Sequence, residues 1–420
     1  MTTSLEAACE LNSNVDDAAA ELDHDLNKHF AELLKFESTP EMERSALYRE
    51  IRPVVERILS SVVVESVQSL GVSRRSIDRE QAGAAAVNSV NAVAWNIERG
   101  IRFDGIVEKL RDHPDLGDAD VLLLTELDYG MARSGNRFVA KELAGRLGLN
   151  YAFAPVYIAL QKGSGVEQFA EGENTRSIHG LAMFSKYAMR NVHALPLPNG
   201  KDKMWGKEKR IGHLRALIAD IGHLAGEFRA VTVHLDAHCS RAHRHRQMKI
   251  ILDHLDTLPA MPTLIGGDLN TTTFNSQNAT RAIMGYWRRV FMGPKNVAKR
   301  HLPFPENYFE RNLFGELESR GYQYENLNNL GVGTIHYHVE SIEKNTNLRD
   351  WVPEWCFPFI FWAANRVGGS VSARLDWFAG KDIEVDWENP PKTVQNLTGD
   401  EGEPLSDHDP IILEFRPGLK

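Results

Sequence analysis

Two textures of apolar and polar positions divide the chain. Across residues 16–70, Ala, Leu and Phe recur at helical spacing behind early Asp and Glu, as in DDAAAELDHDLNKHFAELLKF. MERSALYREIRPVVERILSSVVVESVQSL continues in the same mode. This periodicity predicts helices, with a kink or break at Pro53, because proline removes a helix hydrogen bond. SRRSIDREQAGAAAVNS (73–89) is small and polar and reads as a linker. From residue 90 short apolar runs ending in polar residues recur: VNAVAWNIE, ADVLLLTE, HGLAMFSKY, LRALIADI, FRAVTVHLD, PTLIGGDLN, SARLDWFAG and DPIILEF. A continuous run such as VLLL is what a strand buried on both faces looks like. RFVAKELAGRL and HRHRQMKIILDHL carry helical spacing between the runs. The pattern predicts a sheet-rich α/β or α+β domain with helices outside.

The expected organisation is a helical N-terminal extension (1–72), a linker (73–89) and a catalytic domain (90–416). An insertion at about 281–366 interrupts that domain. Nothing in the first segment suggests chemistry, so it reads as a helical appendage with a possible protein partner. Within the insertion, residues 281–311 hold seven Lys and Arg against two Glu, with six aromatics. WVPEWCFPFIFW (351–362) is densely aromatic.

Composition narrows the class. Apolar residues make up 42% and charged residues 25%, normal for a globular chain and incompatible with wholesale disorder. No apolar stretch is long enough for a transmembrane helix, and the acidic first twenty residues lack the apolar core of a secretory signal. Cys9, Cys239 and Cys356 are too few and too scattered for a disulfide framework or a CxxC zinc site. A reducing, cytoplasmic setting is expected. The net charge of −9 falls mainly on the N-terminal part: residues 1–88 carry −7. An acidic total argues against a protein that coats nucleic acid by bulk charge, and says little about a site for one phosphate.

The polar residues closing the apolar runs are the candidate chemistry: Asn96 and Glu98, Glu126, His234 and Asp236, Asp268 and Asn270, Asp376, and Asp407 and His408. Strand periodicity puts Asn96 and Glu98 on one face, with Trp95 and Ile97 on the other. An apolar strand needs no terminal carboxylate, so the repetition is the signal. Carboxylates and Asn at one sheet edge are hard oxygen ligands suited to Mg²⁺ or Mn²⁺. Without a cation such carboxylates would repel one another. Singly, such a residue is more often a turn former or helix cap than a ligand.

AWNIE, LLLTELD, HGLAMFSK, VTVHLDAH, LIGGDLN, RLDWFAG and LSDHDP stand in an order that resembles the endonuclease/exonuclease/phosphatase superfamily of metal-dependent phosphoester hydrolases. Pancreatic deoxyribonuclease, exonuclease III-type repair nucleases and neutral sphingomyelinases belong to it. The resemblance covers about residues 90–416. It implies a four-layer α/β/β/α sandwich of two packed mixed sheets, an α+β fold with the site at one edge. It also implies roles. Glu126 matches the principal metal-binding glutamate, Asn96 a supporting ligand and Asp407 a metal-side aspartate. Glu98 falls where family nucleases often have Asp. Asp268 matches the residue that orients or deprotonates the attacking water, and Asn270 a phosphate contact. His408 matches the catalytic histidine, and Asp376 the acid that fixes its tautomer. His234 matches a proposed acid or phosphate contact, and Ser406 is structural.

Softer expectations surround these. Arg176 and His179, and Arg133, Asn136 and Arg137, are candidate contacts to substrate phosphate, or else ordinary loop residues. Arg244 and Gln247 read as fold braces. His238, Cys239, His243 and His245 do not match a zinc spacing. The expected activity is divalent-metal-dependent hydrolysis of a phosphoester, of phosphodiesterase or nuclease type. A sphingomyelinase-type lipid phosphodiesterase and a non-catalytic scaffold are the alternatives. The substrate stays open between nucleic acid and a phospholipid headgroup. The insertion's aromatics and cations could stack bases, seat a lid on an anionic membrane, or pack a core of their own.

Overall fold

The apolar runs become strands because both of their faces are covered. The computed structural model describes residues 20–66, 89–273, 275, 279–338, 366 and 370–418. The run VNAVAWNIER is β2 (Val90–Arg99), and VLLLTELDY is β3 (Val121–Tyr129). They pair in parallel in a nine-stranded mixed sheet. Its path runs β1 (Val63–Glu65), β4 (Asn150–Ala159), β5 (Ile178–Ser185), β3, β2, β16 (Ile411–Pro417) and β14 (Ile383–Val385). β7 (Arg210–Gly212) adds to β4, and β15 (Lys392–Thr393) to β16. A second, five-stranded sheet runs β13 (Asp376–Lys381), β10 (Thr263–Asp268), β9 (Gly226–His234), β8 (Arg215–His223) and β6 (Met189–Pro196). A short ladder joins β11 (Ile335–His338) to β12 (Ser370–Ala373).

The sheets pack face to face. Ala92, Ala94, Leu123 and Met183 from one share a core with Ile218, Val231, Val233 and Ile265 from the other. Gly266 lies at that interface, where an added Cβ would come within 2.6 Å of Leu123 Cδ1. Helices cover the outer faces. The helices Phe103–Asp112 and Val139–Leu147 bury Ile106, Val107 and Leu143 against Val93, Trp95, Leu122 and Leu124. The helices Arg241–Leu255 and Arg311–Ser319 bury Met248, Ile251, Phe314 and Leu317 on the other side. The result is the α/β/β/α sandwich that the motifs implied, an α+β fold.

The N-terminal helices differ from the expected appendage. Leu22, Leu33, Met42, Ile51, Val55 and Ile58 are buried in the same core as Val93 and Trp95. β1 pairs antiparallel with β4, Val63 opposite Phe153, and so extends the main sheet. Lys209 Nζ donates to the carbonyls of Leu34 and Phe36, and Arg215 Nη1 to that of Ser61 at 2.8 Å. Burying each such aliphatic side chain contributes about 1.5–3 kcal/mol, which explains why the segment is docked. Pro53 does not break the helix: Ala46–Ser60 is continuous around it. Ile51, Val55 and Ile58, packed on the sheet, hold both flanks in place. Residues 73–88 of the expected linker and the run 351–362 fall outside the described residues.

Candidate active site

Three strand ends meet at one register. Across the five-stranded sheet, Asp268 of β10 pairs with His234 of β9 on one side and Asp376 of β13 on the other. The GGD sequence permits this. Gly267 has φ 138°, and an added Cβ would lie 2.1 Å from the Val233 carbonyl oxygen. Asp268 is thereby carried to the edge beside the end of β2.

The main sheet supplies the facing wall by breaking its own ladders. The β2–β3 register slips between Asn96 and Arg99, and the β3–β5 register slips between Leu124 and Leu127. Glu98, Arg99 and Glu126 at these slips have φ of 44°, 66° and 58°, a region that side chains rarely adopt. Asn270 shares it at 52°. Such bulges re-aim side chains, and strain of this kind gathers at functional sites.

The side chains converge. Asn96 Nδ2 donates to Glu126 Oε1 at 3.1 Å and to Asp268 Oδ2 at 3.3 Å, so one amide bridges the two walls. Asn96 Oδ1 accepts from the Glu98 N–H at 3.1 Å, which fixes the amide's orientation. His408 Nδ1 lies 2.7 Å from Asp376 Oδ2, and His408 Nε2 lies 3.8 Å from Asp268 Oδ2. His234 Nε2 approaches the same oxygen at 3.6 Å. Asp268 Oδ1 accepts from the Asn270 N–H at 2.8 Å, and Asn270 Nδ2 donates to the Leu235 carbonyl at 2.9 Å. Ser406 Oγ donates to the Asn96 carbonyl at 2.7 Å and ties the LSDHDP loop to β2. Asp376 is oriented through Thr334, whose Oγ1 accepts from the N–H groups of Leu375 and Asp376.

The electrostatics are unbalanced toward negative charge. Burial first, and the neighbouring Asp407 second, push the Glu98 carboxyl up to about 8. Burial also raises Asp407 and lifts Asp268 to about 6, against the pull of His408 and His234. Burial opposes the charge on His408 too, but Asp376, Asp407 and Asp268 outweigh it and hold the imidazole well above its usual range. Glu126 stays low despite burial, because Arg99, His234, His179 and the Asn96 amide surround it.

Glu126, Glu98 and Asp407 are oxygen donors of the kind a hard divalent cation takes. Burial first, and neighbouring carboxylates second, raise Glu98 and Asp407, and a divalent ion would favour their charged forms. Among the described residues, one group of three His, Cys, Asp or Glu side chains has ligand atoms within 4.8 Å of one another: Asp268, Asp376 and His408. Two of these are already joined by the His408–Asp376 hydrogen bond, and Asp268 lies 3.8 Å from His408 Nε2.

The softer candidates are engaged in contacts of their own, with His179 alone among them acting on Glu126. Arg133 is buried, with its guanidinium bonded to Asp128 at 2.8 Å, Glu167 at 2.9 Å and Glu208 at 3.3 Å. Three carboxylates already meet this buried guanidinium. Asn136 holds its own loop through the Glu173 carbonyl and Thr175. Arg137 pairs with Glu142 and stacks over Phe103. Arg176 pairs with Asp23 of the N-terminal segment. His179 is buried with Nδ1 2.8 Å from Asp128 Oδ1. The His-rich run is dispersed: Cys239 Sγ donates to the Asp236 carbonyl, His243 contacts the Pro198 carbonyl, and His245 pairs with Glu316. Arg244 and Gln247 are buried braces, bonded to Glu310 and to the backbone of Asp236 and Pro198.

Sequence reasoning missed Arg99. Its Nε lies 3.8 Å from Glu126 Oε2, and its Nη1 3.1 Å from Glu167 Oε1. Its place directly after Glu98 in the NIER run was the available signal. Glu167, Glu208 and Thr334 gave none.

A family model for the endonuclease/exonuclease/phosphatase family matches residues 93–408. No curated protein matches the chain in sequence. Among solved structures the chain has distant similarities. An endonuclease/exonuclease/phosphatase from Beutenbergia cavernae is 16% identical, with a TM-score of 0.44 over 79% of this chain and 72% of that one. The human Nocturnin catalytic domain with bound sulfate is 15% identical, with a TM-score of 0.43 over 78% and 93%. A 3'-5' exonuclease from Neisseria meningitidis is 14% identical, with a TM-score of 0.44 over 78% and 100%.

Proposed function

Because this chain belongs to the endonuclease/exonuclease/phosphatase family, we propose that it is a divalent-metal-dependent hydrolase of phosphoester bonds, of phosphodiesterase or nuclease type. The observation that carries this reading is the position of Asp268. Its Oδ2 is reached at once by Asn96, His234 and His408, from two different sheets. That surroundings is an apt place for a carboxylate that orients a water for attack.

Each side chain then has one task. Asp268 accepts a proton from the attacking water, and its share of burial keeps the group basic enough to do so. Asp376 holds His408 in one tautomer through Nδ1, leaving Nε2 to donate to a phosphoryl oxygen. His234 meets the same pocket from β9 and is placed to give a proton to the leaving oxygen. Asn270 and Asn96 supply amides at the phosphate side. Glu126, Asn96, Asp407 and Glu98 would hold Mg²⁺ or Mn²⁺, which when bound would offset charge developing on the phosphoryl group. Arg99 keeps Glu126 ionised and ready for that role.

The test is a substrate panel under Mg²⁺ or Mn²⁺, each with an EDTA control: single- and double-stranded DNA, RNA, sphingomyelin, a phosphoinositide and bis-(p-nitrophenyl) phosphate. Asp268→Asn runs beside the wild type. Turnover of one class, abolished by EDTA and by the variant, is the expected result and names the substrate. A folded chain that binds Mg²⁺ and turns over none of these would favour the scaffold reading instead.

A further inference from the structure

The insertion contains a helix whose apolar face looks outward. Ala279–Met292 follows Asn270 by nine residues. Ile283, Met284, Trp287, Val290 and Phe291 recur on it at offsets of three and four, the stripe of an amphipathic helix. In a core-facing helix that stripe would be buried. Here Met284 is 67% exposed, Phe291 84%, Trp287 46% and Val290 44%. The helix is nonetheless fixed to the rim of the candidate site. Arg289 Nη2 donates to the Thr272 carbonyl at 2.7 Å, four residues past Asp268. The Arg288 guanidinium lies 5.7 Å from the ring centre of buried Phe309.

The flanks of the stripe carry one sign of charge. Arg281, Arg288, Lys295, Lys299 and Arg300 are exposed, and no Asp or Glu occurs between Asp268 and Glu306. The remainder of the chain is acidic, since the whole carries −9. An outward apolar stripe bordered by cations is what an anionic lipid surface complements: apolar side chains enter the acyl boundary while Lys and Arg meet headgroups. A second copy of the chain fits poorly, because a two-fold contact would bring this cationic face against itself. Nucleic acid fits less well than lipid. Base stacking uses aromatic rings, whereas Ile283, Met284 and Val290 give it nothing to stack on.

We propose that Ala279–Met292 and the basic residues that follow it form a docking surface for an anionic lipid bilayer. The proposal rests on no step of the hydrolase reading. No helix among the described residues is long and apolar enough to cross a membrane, so the contact would lie in the interface plane.

The test is co-sedimentation of the full chain with vesicles of phosphatidylcholine alone and of phosphatidylcholine containing about a third phosphatidylserine. Binding is expected to the mixed vesicles only and to weaken as salt rises. Replacing Met284 and Phe291 together by Glu is expected to weaken it at least about tenfold, with the melting temperature unchanged. Met284→Leu with Phe291→Trp is expected to retain it. Failure to sediment with either vesicle, or sedimentation indifferent to the Glu pair, overturns the proposal. So does a fall in melting temperature in the Glu pair without vesicle binding, which would mean that the chain itself covers the stripe. Binding of a single-stranded oligonucleotide, or self-association seen by light scattering, lost in the Glu pair while vesicle binding is absent, would assign the face to those partners instead.

Discussion

Two charged clusters hang from the same strand, and burial, which disfavours charge in both, wins only in one. At Asp128, carboxylates from Asp128, Glu167 and Glu208 are met by Arg133, Arg99, Arg210 and His179. Two residues earlier, Glu126 opens onto Glu98, Asp268, Asp376 and Asp407, with Arg99, His408 and His234 beside them. In the first cluster burial works against the charge, yet Arg210 and Arg133 hold Glu208 down at about 2. In the second, burial wins at Glu98, about 8, and at Asp268, about 6. The depth is similar and the outcome reversed. The difference is whether the chain supplies the counter-charge itself. The first cluster neutralises itself; the second leaves carboxylates in surplus, which is what the proposed metal-assisted hydrolysis would use.

Four experiments would break or sharpen that contrast. The largest expected effect is on turnover. Asp268→Asn should lower hydrolysis of the substrate found by at least about a hundredfold while leaving the melting temperature no lower, since the amide keeps the shape and removes a surplus charge. Near-wild-type turnover in this variant would remove Asp268 from the chemistry.

Next is Arg133→Met, which takes the guanidinium from buried Asp128 and one partner each from Glu167 and Glu208. A loss of about 3–5 kcal/mol of stability in urea unfolding is expected. An unchanged midpoint would mean that the first cluster is not held by its ion pairs.

Saturating Mg²⁺ or Mn²⁺ comes third. At about a hundred times its dissociation constant, a cation bound only by the folded chain stabilises it by about 2.7 kcal/mol. Scanning fluorimetry with and without EDTA measures this, and Glu126→Gln should abolish the shift. If neither ion raises the melting temperature of the wild type, the surplus carboxylates serve some other purpose.

The smallest effect belongs to Glu98→Gln. Removing one of two like charges should stabilise the metal-free chain by about 1 kcal/mol or less. Destabilisation would show that Glu98 is paired more favourably than its raised proton affinity implies.

Much of the candidate site was legible because its residues terminate apolar runs. His234 and Asp268 end strands and Asp376 begins one, Asn96 and Glu126 sit at the slipped ladders of β2 and β3, and His408 precedes β16; a chain of close contacts links all six. The loop residues were less legible. A surplus of Arg near Glu126 looked like a grip for substrate, but Arg133 faces inward to Glu167 and Glu208, 34 and 75 residues away in sequence. No local pattern announces partners at that distance. The N-terminal helices were read correctly as helices, yet their destination was not. Amphipathic periodicity says that one face will be covered and not by what, and here it is the main sheet.

The sequence by itself determined the strands, the order of the motifs and the chemical type of each site residue, because side-chain period and strand-end polarity are local properties. Only the tertiary structure decided that Asp268 lies at one register with His234 and Asp376. It alone decided that two slipped ladders set Glu98 beside Asp407 and Glu126 beside the Asn96 amide, and that Arg133 is spent while Glu98 is left in surplus. The physical reason is that charge balance is a property of what surrounds a group in space, and residues far apart in the chain supply it.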